Sequence, residues 1–310
     1  MNKIHSNGIV ILDFGSQYTQ LIARRVREQN VFSEILPPET SLETIISRNP
    51  AGLILSGGPS SIFGDEAPEF DESILNAEIP ILGICYGLQL LAHHHGGSVE
   101  STGQGEYGFA TISVDDDTKL FSKIPKESQV WMSHMDRVSR IPDGWNVLAH
   151  SSNGIVAAMA NHDQTRVATQ FHPEVAHTKE GQSILRNFLF NIATCAPTWT
   201  AGNFIDEQVD LIRKQVGDGK VLCGVSGGVD STVVAGFLHK AIGSQSTAVL
   251  IDHGLLRKNE ARDCVRALKS GLGVNINMFD ESDIFLSKLK GVTDPEKKRK
   301  IIGNQFIYSF

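Results

Sequence analysis

The chain has few cysteines and no two of them are close together. The four, at positions 85, 195, 223 and 264, form no CxxC pair, so neither a disulfide framework nor a thiolate zinc site is indicated, and a reducing cytoplasm fits. No apolar run approaches the ~20 residues of a membrane span. The opening Met1-Asn2-Lys3-Ile4-His5 lacks a signal peptide's apolar core. Positive charge is short as well: 28 Lys and Arg stand against 35 Asp and Glu, a net −7, which argues against nucleic acid held by bulk electrostatics. There is no internal repeat or low-complexity tract. What remains is a folded composition, 41% hydrophobic and 20% charged, in 310 residues, enough for two domains with ample core.

Segments 9–12, 31–36, 53–55 and 79–82 read as strands, and a helix over 17–28 places Leu21, Ile22 and Val26 on one face. This alternation predicts an α/β fold with a mainly parallel sheet and helices on both sides. Residues 98–160 are richer in short β-type segments such as 110–114 and 155–159, and an amphipathic helix over 180–192 closes the region. The stretch 195–202 breaks the pattern as a linker. The rhythm then restarts with a helix at 204–216, strands at 220–225 and 247–251, and helices at 231–241, 258–269 and 297–310. Two domains are expected, 8–197 and 198–310.

The most informative stretch is Gly83-Ile84-Cys85-Tyr86-Gly87-Leu88-Gln89, between the run 79–82 and a helical run over 88–94. A cysteine between glycines at a strand-to-helix junction is the thiol form of a nucleophile elbow. The glycines permit a sharp turn, and the helix N-terminus behind it favours thiolate. Taken alone, Cys85 is equally well a small buried hydrophobe. Gln170-Phe171-His172-Pro173-Glu174 follows the strand-like run 167–169, so His172 sits just past a strand end, where parallel sheets gather catalytic groups. A thiol needs a base and a group that orients the base. Cys85, His172 and Glu174 supply all three. Ser56-Gly57-Gly58-Pro59, after the strand 53–55, offers backbone N–H groups for an oxyanion. His93, His94 and His95 are consecutive on a helix and point in different directions, so no metal site is expected from them. Further on, Ser226-Gly227-Gly228-Val229-Asp230-Ser231 follows a strand and starts a helix, the setting for a phosphate cradle. It is not a Walker A loop, because the GK[ST] ending is absent.

Ser56 to Pro59, Gly83 to Gln89 and His172 to Glu174 match the SGGP, GxCxGxQ and HPE signatures, in order, and over about residues 8–195 the chain resembles the class I glutamine amidotransferases. The resemblance implies a flavodoxin-like sheet in which Cys85 attacks the glutamine side-chain amide, His172 transfers the protons and Glu174 orients His172. Gly57, Gly58 and Tyr86 would hold the oxyanion, and Gln89, Ser133 and His134 would recognise glutamine. The loop Ser226 to Ser231 resembles that of the ATP pyrophosphatases, which implies ATP binding by Ser226, Gly227, Gly228, Val229, Asp230 and Ser231 on an incomplete parallel sheet of the adenine-nucleotide alpha-hydrolase kind. Mg2+ is expected only as the companion of ATP phosphates, with no dedicated metal ligands and no tightly bound cofactor.

Both parts in this order are similar to the glutamine-hydrolysing GMP synthase family. The stretches from Gly105 to Phe109, Val130 to His134, Asp252 to Lys258 and Gly291 to Arg299 agree with it. The resemblance implies a cytoplasmic ligase of purine biosynthesis. Its substrates are glutamine, ATP and XMP, its products GMP, AMP and pyrophosphate, and a shielded passage carries ammonia between sites. Two departures stand out. Met135 replaces a residue that is usually small, at an expected turn. The chain also stops short of family length, so the dimer contacts and most XMP-binding residues are expected to be missing. Glutaminase chemistry and partial ATP binding are then expected to survive. The alternatives are a free-standing glutaminase subunit of another amidotransferase, or a non-catalytic remnant.

Overall fold

The computed structural model describes residues 7–115 and 118–310; the first five residues, read above for a leader, lie outside them. Contacts divide the chain between Thr200 and Ala201. The first unit begins with β1 (Ile9–Leu12), α1 (Thr19–Glu28), β2 (Ser33–Leu36), α2 (Leu42–Ser47) and β3 (Gly52–Leu55). A 3₁₀ turn at Glu72–Asn76 leads to β4 (Ile81–Ile84) and α3 (Tyr86–His94). Five strands follow: β5 (Ser98–Val114), β6 (Glu127–Arg140), β7 (Trp145–Ser151), β8 (Val156–Asn161) and β9 (Arg166–Thr169). Helix α4 (Gly181–Asn187) and a π-type turn, Phe188–Ile192, replace the single helix expected over 180–192.

All nine strands join one sheet in the order β2-β1-β3-β4-β9-β8-β7-β5-β6. Pairings from β2 through β9 are parallel, and those from β9 through β6 are antiparallel. The sheet is therefore mixed rather than mainly parallel. A parallel neighbour needs a long crossover, usually helical, and the described residues between β5 and β9 form no helix to make one. Nor are the β segments of this region short. β5 has 17 residues and β6 has 14, and β6 alternates buried and less buried positions. Such half-solvated alternation hides a long strand among polar residues.

β1, β3 and β4 are buried at every position. Their alternate residues feed two cores. Ile9 and Ile11 pack with Ile22, Val26 and Phe188, while Val10 and Leu12 pack with Ile45, Leu88 and Leu91. Helices cover both faces, which is why these strands read as unbroken apolar runs.

The second unit contains α5 (Ala201–Val216), β10 (Val221–Gly224), α6 (Val229–Ile242), β11 (Ser246–Asp252), α7 (Glu260–Leu272), β12 (Ile276–Asp280), α8 (Ser282–Leu289) and α9 (Pro295–Ser309). Its three strands form a parallel sheet, β10-β11-β12. Leu250, Ala248, Ile276, Ala235 and Leu268 pack on one side, and Ile251, Val249 and Phe285 on the other. β12, α8 and the earlier α2 were not legible as separate elements. Among the described residues, no helix is long and apolar enough to cross a membrane.

Candidate active site

Cys85 sits between β4 and α3 with φ +52° and ψ −98°. A non-glycine residue in that region is strained, and such strain clusters where a side chain is held for use. The strain falls on the cysteine itself. Neither Gly83 nor Gly87 has a positive φ, so the glycines permit the sharp turn by their lack of side chains and not by a left-handed backbone. They serve close approach: a Cβ on Gly83 would lie 2.6 Å from the Gly87 carbonyl, and one on Gly87 would lie 2.6 Å from the Leu55 oxygen. The missing side chains let the first turn of α3, which begins at Tyr86 rather than Leu88, lie flat on β3 and β4. Gly87→Ala is expected to destabilise the first unit by about 2–3 kcal/mol through overpacking, read as a lower urea midpoint. An unchanged midpoint would show that the helix has room to shift.

β4 and β9 are parallel neighbours, with Ile84 opposite Thr169, so the residues that leave these strands emerge together. The Cys85 amide donates to the Thr169 oxygen at 2.7 Å. His172 and Glu174 are both buried, and His172 Nδ1 lies 2.7 Å from Glu174 Oε1. A carboxylate accepts, so Nδ1 carries hydrogen and the other ring nitrogen is left for the hydrogen bond with the Cys85 side chain. Burial alone would push the imidazolium down. The Glu174 charge and the bonds to Cys85 and Glu174 outweigh it and raise the pKa to about 10. At neutral pH the ring therefore faces the sulfur as a cation.

Several supporting residues had no sequence signal of their own. Gln170 Nε2 donates to Cys85 Sγ at 3.7 Å and is fully buried. Thr178 donates to the His172 carbonyl at 2.7 Å and accepts from the Trp131 amide, which fixes the turn carrying the histidine. Arg25 Nε donates to the Glu174 carbonyl at 3.0 Å, and Tyr18 packs edge-on to the His172 ring at 5.2 Å. The Ser133 backbone oxygen lies 3.6 Å from Cys85 Sγ.

Cys85 and His172 open into one cleft of about 630 Å³, also lined by Gly58, Gln89, Ser133, His134, Met135 and Asp136. Gly57 packs behind it, where an added Cβ would meet the His172 ring at 3.1 Å and Cys85 Cβ at 3.7 Å. Among the described residues, the backbone N–H groups of Gly58 and Tyr86 engage no loop or turn carbonyl, which leaves them as candidate donors. Gln89 is buried and donates to the Asp136 oxygen at 2.9 Å. Met135 lies within β6 rather than at a turn, and at 46% exposure it borders the cleft without filling the core. Of the three neighbouring histidines, His94 bonds Asn76 and His95 packs on Trp145.

In the second unit, the loop Ser226 to Ser231 joins β10 to α6. Gly228 caps the helix, Gly227 takes φ +82°, and the Ser226 and Ser231 hydroxyls lie 3.2 Å apart. Gly228 to Asp230 are exposed, which leaves the amides at the helix start facing solvent. A smaller cavity of about 240 Å³ beside Ser226 is lined by Leu250, His253, Leu256, Phe306 and Phe310.

Comparison with known proteins adds to this geometry. The family description "Glutamine amidotransferase class-I" matches residues 10–192, and "NAD synthase" matches residues 202–304. The chain is 48% identical over 310 residues to the "GMP synthase [glutamine-hydrolyzing]" of Bacillus cereus (strain G9842), and 49% to that of Bacillus licheniformis. Each match takes in all of this chain but 60% of the relative, so the chain spans about 60% of the length of these curated proteins. A solved structure from Thermoplasma acidophilum, titled a "putative gmp synthase subunit a protein", is 34% identical with a TM-score of 0.53. It is matched over 93% of its own length and 60% of this chain.

Proposed function

Because the chain belongs to the class I glutamine amidotransferase family, we propose that its first unit hydrolyses glutamine and its second activates a nucleotide with ATP. The two would be the halves of the reaction that aminates XMP to GMP, the activity for which the curated relatives are named. The observation that carries this reading is His172, held by Glu174 at 2.7 Å and bonded to the sulfur of a strained Cys85 in one cleft.

The steps follow from the charges. The Cys85 thiolate attacks the side-chain amide carbon of glutamine, and the carbonyl π electrons move to oxygen. The Gly58 and Tyr86 N–H groups, with Gly57 leaving the space open, take up that negative charge. The His172 cation gives its proton to the departing nitrogen, the C–N bond breaks, and ammonia leaves a thioester on Cys85. Neutral His172 then removes a proton from water as the water attacks the thioester. The C–S bond breaks, glutamate is released, and the thiolate–imidazolium pair is restored. Gln170 donates to the sulfur whenever it carries charge. Gln89, Ser133 and His134 are the recognition groups for the amino-acid end.

In the second unit, Ser226, Gly227, Gly228, Val229, Asp230 and Ser231 would receive the ATP phosphates through amides and hydroxyls. Asp230 places a carboxylate in the first helical turn, where an anion repels phosphate. A carboxylate and serine hydroxyls are oxygen ligands of the kind Mg2+ accepts, so Asp230, Ser226 and Ser231 would be the residues to hold an ion that arrives with ATP and neutralises its phosphate charge. A thiolate nucleophile suits a reducing compartment such as the cytoplasm.

The test is direct. Purified chain incubated with glutamine is expected to release glutamate and ammonia in equal amounts, and Cys85→Ala run in parallel is expected to release neither. Equal, background-level release from both proteins would sink the reading.

A further inference from the structure

Across the β5–β6 pair, Glu106 stands opposite His134, beside a register shift in which β5 advances from 101 to 106 while β6 moves only from 136 to 134. Both side chains are nearly sealed, His134 at 1% and Glu106 at 10% exposure. His134 Nδ1 lies 3.0 Å from the Asp136 backbone oxygen. A carbonyl only accepts, so Nδ1 carries the hydrogen, and Nε2 of a neutral ring is a bare lone pair. That atom faces Glu106 Oε2 at 3.5 Å, and neither has a hydrogen-bond partner. Glu106 Oε1 is already occupied, accepting from Ser151 Oγ at 3.0 Å and Asn153 Nδ2 at 2.6 Å. Two buried acceptors aimed at each other repel. One proton between them turns the contact into a charge-assisted hydrogen bond.

The Asp136 oxygen that accepts from His134 also accepts from Gln89 Nε2. Gln89, His134 and Asp136 all border the cleft. On the glutaminase reading above, we infer that Glu106 and His134 share a single proton between Oε2 and Nε2. The pair is the positioning device that holds the Asp136 carbonyl and the Gln89 amide in register for the substrate's amino-acid end. With its nitrogen tied to Asp136, Gln89 keeps its amide oxygen for a ligand N–H. Glu106 contacts neither the sulfur nor His172, and so acts through His134. Burial pushes the His134 imidazolium down, against the pull of the Asp136 carbonyl and Glu106. Besides Glu106, the charged group that acts on His134 is His172, just past the end of β9, whose like charge also pushes the imidazolium down; Ser151 and Asn153, which donate to Glu106, are neutral.

Two substitutions separate the roles. Glu106→Gln offers an N–H to Nε2 in place of the shared proton and does not titrate, whereas Glu106→Ala leaves Nε2 alone. Glu106→Ala is expected to raise KM for glutamine about tenfold, the scale of one lost buried hydrogen bond, with kcat changed much less. Glu106→Gln is expected to restore KM, and to remove the dependence of KM on the rise in pH that takes the shared proton from the parent chain. Alkylation of Cys85 by iodoacetamide, measured without glutamine, should be equal in all three. A parental KM in Glu106→Ala, or Glu106→Gln behaving as Glu106→Ala, would overturn the proposal. If the parent chain hydrolyses glutamine no faster than Cys85→Ala, the glutaminase reading fails instead, and nitrogen-15 spectra of the histidine rings decide the proton question. There the His134 signal, identified by its loss in His134→Asn, should titrate differently in Glu106→Gln and in the parent. Identical titration near the ordinary ~6.5 in both refutes a shared proton.

Discussion

Cys85→Ala is expected to lower glutamine hydrolysis by roughly 10⁴-fold or more while leaving the fold intact, because the nucleophile and its proton carrier act as one unit. The same position tests the backbone. Cys85 holds φ +52°, a conformation that glycine adopts freely and alanine does not. Cys85→Gly and Cys85→Ala lose the same sulfur contacts, so their difference in stability sets the relief of strain against the greater freedom of glycine in the unfolded chain. Glycine is expected to be the more stable by about 1 kcal/mol, even though it also raises the entropy of the unfolded chain. Both proteins should be inactive. Urea denaturation of the pair measures the difference, and an alanine form more stable than the glycine form would show that the elbow is unstrained.

Glu174→Gln is expected to cost roughly 10²–10⁴-fold in hydrolysis. The substitution keeps the volume but removes the charge that holds the His172 proton, and a glutamine amide can turn its N–H toward Nδ1 and impose the wrong tautomer. A stability signature accompanies it. The folded-state pKa of His172 is raised to about 10, above its unfolded value of ~6.5. Its contribution is therefore full below ~6.5 and is lost progressively as pH rises toward 10. The unfolding free energy of the first unit should fall across that window, and Glu174→Gln should flatten the fall. Denaturation midpoints at a series of pH values report it. A parent slope no steeper than the variant's would mean that His172 is not held as a cation.

Much of the site was legible because its chemistry is local in sequence. A cysteine at a strand-to-helix junction, a histidine just past a strand end and a glutamate two residues on are each visible without the fold. β4 and β9 then bring Cys85 and His172 together at one sheet edge. What escaped was whatever depends on register or reach. Tyr18 and Arg25 arrive from the start and end of α1, and Thr178 from further along the loop that carries His172. Glu106 meets His134 only through an irregular pairing of β5 with β6, and no periodicity announces a register shift. Gln170 lay inside a motif already noted, but its contact with the sulfur depends on a side-chain direction that spacing does not reveal. The glycines of the elbow were seen to permit the turn, but whether they do so by conformation or by close approach was not legible, because both needs leave the same letter in the sequence. The mixed sheet was missed for a simpler reason: strand direction depends on the connections, and the long polar-faced β5 and β6 looked like several short pieces.

The pairing of β4 with β9 has a temporal consequence. Ile81 lies opposite Arg166, so the strand bearing the nucleophile is synthesised long before its neighbour, and four strands must be threaded in between. Contacts this distant along the chain close slowly. A ribosome-bound chain that has exposed Cys85 carries an unassembled thiol until the segment around His172 emerges. Competence for turnover should thus be among the last properties acquired, in the cell as in refolding from denaturant.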